Sequence, residues 1–176
     1  MIMPRGRLLL MPASNAFVWG SLLGAFLLNM AWGRATGTDG LWAPDWMLLV
    51  LTFWNIYQPL KVGVTSAFVF GLMMDVHASA LLGQHALAYT LSAYAAVSLH
   101  RRILWFDAWR QALQLSALFL VAHAIQWLAR WLSGDSLLFV SEWLSPLATA
   151  LIWPLGRGLL LAPQRRAPDP DDIRPL

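Results

Sequence analysis

Residues 46–75 read WMLLVLTFWNIYQPLKVGVTSAFVFGLMMD, and the division of this stretch decides the topology of the whole chain. Its first apolar run, Trp46 to Tyr57, would rise only about 18 Å as a helix, against roughly 30 Å of bilayer hydrocarbon. A second run, Val62 to Met74, ends at Asp75. Between them stands Gln58-Pro59-Leu60-Lys61. Pro59 lacks an N–H and disfavours helix at Gln58. A lysine midway along one continuous span would lie near the bilayer centre, at a cost of about 2.5 to 3.5 kcal/mol. The stretch is therefore expected to form two short helices turned at Pro59, with Pro44 marking a second structural turn ahead of them.

Working outward, the chain has 176 residues, 59% hydrophobic and 12% charged, with mean hydropathy +0.57. Soluble domains carry about twice that share of charge, so an ordinary soluble domain is excluded. The length suits one membrane bundle and leaves no room for a second domain. No cysteine is present, which removes disulfides, thiolate metal sites and thiol nucleophiles. Eleven tryptophans fit membrane interfaces. An all-α integral membrane protein with six transmembrane helices is expected, at about 13–33, 46–58, 61–75, 84–100, 110–132 and 143–162. Residues 1–162 form the single membrane domain, and the proline- and aspartate-rich residues 163–176 a disordered cytoplasmic tail. Ala13-Ser14-Asn15-Ala16 loosely resembles a leader cleavage site, but the apolar run continues past it, so residues 13–33 are kept as a span. The basic, aromatic segment from His100 to Arg110 is expected to be a turn in the headgroup region.

A net charge of +3 and pI near 10.0 would invite a nucleic-acid reading. The distribution of charge points to a membrane instead. With six spans and the amino terminus inside, Arg5, Arg7, Lys61, Arg101, Arg102, Arg110, Arg165, Arg166 and Arg174 fall on the cytoplasmic side, with Arg157 near it. Arg34 and Arg130 fall outside, together with Asp39, Asp45, Asp75, Asp135 and Glu142. That bias orients the bundle with both termini in the cytoplasm of a bacterial inner membrane, and no nucleic-acid partner is expected.

Small residues recur at four-residue spacing on three helices: Ala16, Gly20 and Gly24; Gly63, Ala67 and Gly71, continued by Asp75; and Ala88, Ser92 and Ala96. In lipid such stripes allow close backbone approach, for packing within the chain or against a partner. Asp75 is the most informative ionisable residue, expected either to serve the turn after its helix or to pair with a donor such as His77, His85 or a residue of another protein. Asn29, Asn55, His123 and Gln126 are polar residues that could line a cavity. No serine-hydrolase elbow, zinc-protease motif or phosphate-binding loop is present, and no paired carboxylates lie within a span. Neither a cofactor nor a metal is expected. Asp169, Asp171 and Asp172 have a spacing a metal could accept but read as a solvated charge run.

Pro44 before the second span, the aromatic stretch ending at Pro59, the block Ala67 to Asp75, and Leu82-Gly83 together resemble the rod-shape-determining MreD family of bacteria. Tyr94, Trp109, Gln111 and Trp153-Pro154 extend the resemblance in order over most of the chain. The resemblance implies a non-enzymatic inner-membrane component of the cell-elongation, peptidoglycan-synthesis machinery. It implies a link to the scaffold MreC, and through it to MreB, RodA and a class B penicillin-binding protein, with membrane lipid around the bundle and the pairing of two copies left open. It also implies a six-helix fold resembling the substrate-binding subunits of energy-coupling-factor transporters. Gly63, Ala67, Gly71, Asp75 and Gly83 are then the partner-binding or packing residues. Ala67 and Ser79 stand where many relatives have glycine, which leaves the turn after Asp75 open to a different build. The alternative function is a small-molecule-binding or transport subunit of that transporter-like fold. An intramembrane enzyme would need a nucleophile with a nearby base.

Overall fold

A computed structural model describes residues 13–36, 43–134 and 143–164, with the side chains of 33–36 excepted. The expectations for Arg5, Arg7, Asp39, Asp135, Glu142, Arg165, Arg166, Asp169, Asp171, Asp172 and Arg174 lie outside the described residues, as does the side chain of Arg34. Among the described residues six α-helices follow one another: α1 (Asn15–Thr36), α2 (Trp46–Tyr57), α3 (Val64–His77), α4 (Gln84–Ile103), α5 (Ala108–Leu132) and α6 (Leu144–Leu161). A 3₁₀ turn, Ala162–Gln164, ends the described chain. No strand occurs among the described residues.

The α2–α3 hairpin shows how local chemistry sets these limits. Asp45 caps α2, its carboxylate accepting from Leu48 N at 2.9 Å, the bond that a helix N-cap makes to its first turn. At the other end Gln58 leaves helical geometry just before Pro59, as a residue preceding proline should. Lys61 N and Val62 N both donate to Gln58 O, at 3.0 and 3.2 Å, which closes the turn and delays α3 to Val64, three residues later than expected. The Lys61 ammonium donates to Ala13 O, tying this turn to the start of α1.

α2 is the centre of the molecule. Every residue from Met47 to Ile56 is buried, and the helix packs against α1, α4 and α6. Its shortness follows from that position: a helix walled by others need not match the hydrocarbon thickness, provided its ends find polar partners. α3 lies mainly on α4, α4 also meets α5, and α5 pairs with α6. Large apolar side chains cover the outside, among them Trp19, Leu23 and Leu27 of α1, Phe68 and Met73 of α3, Leu113 and Val121 of α5, and Leu151 and Leu155 of α6.

By length and composition three segments could cross a membrane: Asn15–Trp32, Ala108–Leu132 and Leu144–Gln164. α4 differs. It is 20 residues long, about 30 Å, but ends in His100, Arg101 and Arg102. These side chains sit in its last turn, where the exposed carbonyls and the helix dipole favour cations. The expected headgroup turn from His100 to Arg110 therefore contracts to residues 104–107, with helix on either side.

Candidate functional site

The contact between α3 and α4 is built on two residues four positions apart. A Cβ placed on Gly71 would lie 2.4 Å from Ala86 Cα and 2.7 Å from Ala86 N, so only glycine lets the α3 backbone touch the first turn of α4. One turn further along the same face, the fully buried Asp75 meets the N-terminus of α4. Its Oδ1 accepts from His85 N at 2.7 Å and faces His85 Nδ1 at 2.9 Å. Its Oδ2 accepts from Gly83 N at 2.8 Å and Ala86 N at 3.3 Å. A helix start leaves its first N–H groups without internal partners and carries a partial positive charge, which a carboxylate satisfies on both counts.

The turn that brings Asp75 there needs two left-handed residues. Gly83 has φ +101°, a conformation open to glycine. Ser79 has φ +50°, the one positive-φ residue besides glycine among those described. It occupies the left-handed region, where a residue with a Cβ pays some conformational cost.

A second buried carboxylate gathers the remaining helices. Asp45 Oδ1 accepts from Asn29 Nδ2 of α1 at 3.2 Å, and Oδ2 accepts from the Tyr89 hydroxyl of α4 at 2.8 Å. Asp45 N donates to Thr149 Oγ1 of α6 at 2.9 Å, and Asn29 Oδ1 accepts from Trp46 N at 3.0 Å. Beyond Thr149, Ser145 Oγ donates to Ala43 O at 2.6 Å and lies 3.1 Å from His123 Nε2 of α5. The His85 and Tyr89 rings meet edge to face at 5.8 Å, so the two carboxylate clusters adjoin through one turn of α4. The buried polar groups of this network are matched to one another, as a water-poor interior requires, whereas the neighbouring Trp46 Nε1 and Gln84 Nε2 are buried without a partner.

Different ties hold the opposite end. Gln111 Nε2 donates to Ile103 O and Phe106 O at 3.1 and 3.0 Å, clasping the α4–α5 turn, while its Oε1 accepts from Trp153 Nε1 at 3.3 Å. Arg157 Nε donates to the Tyr57 hydroxyl at 2.6 Å.

The three small-residue stripes have unlike fates. Ala67 is fully buried, Gly71 touches α4, and Gly63 is the N-cap of α3, where an added Cβ would meet only Pro59 O at 3.9 Å. Ala88, Ser92 and Ala96 of α4 are all buried. On α1, by contrast, Ala16, Gly20 and Gly24 are exposed, and a Cβ on either glycine would meet nothing within 4 Å. The flanking Leu23, Leu27 and Leu28 are exposed as well.

The profile of rod shape-determining protein MreD matches residues 13–161. The chain belongs to the MreD family. It is 25% identical over 138 residues to the rod shape-determining protein MreD of Haemophilus influenzae, covering 77% of this chain and 85% of that protein. No solved structure gives a significant match. Membership in the MreD family brings involvement in rod-shape determination, and with three long apolar helices it makes this a membrane protein.

Of the residues that carried the resemblance to MreD, Pro44 precedes the capping Asp45, Pro59 stands in the α2–α3 turn, and Gly71, Asp75 and Gly83 meet at the start of α4. Gln111 and Trp153 bond each other, whereas Tyr94 and Trp109 are exposed. The four candidate cavity residues have different partners. Asn29 and His123 belong to the Asp45 network, Asn55 Nδ2 bonds Leu51 O within α2 at 2.7 Å, and Gln126 Nε2 is buried without a partner. Reading the sequence placed Asp45 among outer-face charges and passed over Tyr89, Ser145 and Thr149. A local signal existed only for Asp45, an acidic residue directly before an apolar helix.

Proposed function

We propose that this chain is a non-catalytic, multi-pass inner-membrane subunit of the cell-elongation machinery. It holds the scaffold protein MreC by packing that protein's transmembrane helix against α1. The observation that carries this reading is the open stripe Ala16, Gly20 and Gly24, on a chain whose other two stripes are used internally. Small residues let two helix backbones approach closely in lipid, where no hydrophobic drive separates helix contact from lipid contact.

In this reading Gly63, Ala67, Gly71, Asp75 and Gly83 act by internal packing, and Pro44 and Pro59 by shaping turns. The six-helix arrangement resembles the substrate-binding subunits of energy-coupling-factor transporters in fold and not in task. Residues 1–162 form one membrane domain followed by a tail, with both termini cytoplasmic. Lys61, Arg101, Arg102 and Arg110 then face the cytoplasm, among anionic headgroups and near MreB, with RodA and its penicillin-binding partner reached through MreC. Site-specific photocrosslinking in cells tests the contact. A probe at position 24 should capture MreC, while a probe at position 67 should capture only the chain itself. Capture of MreC from position 67 and not from position 24 would reverse the assignment.

A further inference from the structure

At the Asp45 end of the bundle, a pocket of about 300 Å³ opens between the α3–α4 turn and the end of α5. Ser79, Gln84, His85, Arg130 and Ser133 supply its polar lining. We propose that this pocket binds the phosphate of an anionic membrane lipid headgroup. This goes beyond the docking of MreC and involves a different face of the molecule.

Gln84 points to a ligand. It is 2% exposed, and its Nε2 amide is buried with no hydrogen-bond partner, although the residue lines the pocket. A buried donor left unmade is expensive, and a ligand oxygen in the pocket would satisfy it. The same lining includes Arg130 and Ser79, a guanidinium whose planar fork suits phosphate oxygens and a short hydroxyl side chain. Ser133 Oγ donates to Arg130 O at 2.7 Å, so that hydroxyl offers the pocket an acceptor rather than a donor.

Asp75 stands close by, but both of its carboxyl oxygens are engaged within the fold, by three backbone N–H groups and the His85 ring. With Nδ1 held by Asp75, His85 contributes the rest of its ring to the pocket wall. A pocket of this size lies at the lower end for small-molecule sites and suits a headgroup fragment. Its surroundings favour a lipid over a free solute. Val76, Leu81, Leu82 and Leu87 are large, apolar and exposed around the same turn, a surface for acyl chains.

Three forms of probe test the assignment. The full-length protein is placed in nanodiscs of a neutral galactolipid, with or without phosphatidylglycerol, and lipid retention is read by native mass spectrometry. In parallel, glycerol 3-phosphate is titrated against thermal unfolding of the detergent-purified protein. Wild-type protein should retain phosphatidylglycerol over the galactolipid. Arg130→Gln and Gln84→Leu should each weaken retention roughly tenfold, the scale of one lost charge-assisted or buried hydrogen bond. Ser98→Ala, an exposed hydroxyl near the far end of α4 that bonds only Tyr94 O of its own helix, should change nothing. Stabilisation by glycerol 3-phosphate as well as by lipid would assign the site to the headgroup alone. A response to lipid only would require the apolar rim too. The proposal is overturned if wild-type protein shows neither phosphatidylglycerol preference nor a glycerol 3-phosphate response, or if Arg130→Gln retains lipid as wild type does. If Gln84→Leu fails to fold, the wild-type preference and Arg130→Gln still decide the matter.

Discussion

The α1 and α3 stripes look alike on paper, small residues every fourth position along an apolar helix, yet they do opposite things. The α3 stripe is consumed: Gly71 lies against the backbone of Ala86, and Asp75 caps the helix that packs there. The α1 stripe faces outward, with open space over both of its glycines. Four-residue spacing therefore marks a helix that another backbone can approach, and says nothing about whose backbone it is. What separates the two is the residue one turn beyond. The α3 stripe leads to a carboxylate that needs donors, which a helix N-terminus supplies. The α1 stripe leads to Leu27 and Leu28, which need only apolar cover.

The sharpest way to break this contrast is to fill the α3 stripe. Gly71→Leu would drive a side chain into the α4 backbone, where no rotamer can relieve it. We expect a loss of about 3 kcal/mol or more, seen as failure to purify as a folded monodisperse species or as a large drop in Tm. A Tm near wild type would mean that α3 and α4 are not in backbone contact.

A smaller effect is expected from removing the carboxylate. Asp75→Ala would leave Gly83 N, His85 N and Ala86 N without their acceptor at the buried start of α4, at about 2 to 3 kcal/mol. Hydrogen exchange should show the loss first in residues 83–86, with the Gln111 clasp at the opposite end retained. Uniform loosening of the whole bundle would instead make Asp75 a general core residue.

How much of this was legible in sequence depends on how local each cause is. The α2–α3 hairpin could be read because its causes are neighbours in the chain: Pro44 ahead of an apolar run, Pro59 after Gln58, a lysine unsuited to mid-membrane. The small spacing of α3 and the pairing of Asp75 with the turn that follows it are likewise short-range, with partners 8 to 11 residues away. The Asp45 network was not legible. Its partners lie 16, 44 and 104 residues off, on three other helices, and nothing in the spacing of Asn29, Tyr89 or Thr149 announces their convergence. The extension of α4 through Arg101 and Arg102 was missed for another reason. Charges near a hydrophobic run suggest a span ending, whereas here the helix continues because its C-terminus favours cations. Nor does spacing distinguish a filled stripe from an open one, since that depends on where other helices lie.

The measurement that reaches the centre of the account is made on the open stripe, where the smallest effect on stability is expected. The double substitution Gly20→Leu with Gly24→Leu should leave the Tm of the isolated protein within the range of ordinary surface changes, about 0.5 kcal/mol, because neither side chain meets anything in the bundle. Purified in parallel from cells with tagged MreC, the same variant should lose MreC almost completely. Full recovery of MreC with an unchanged Tm would contradict the account, since the open face of α1 would then hold no partner.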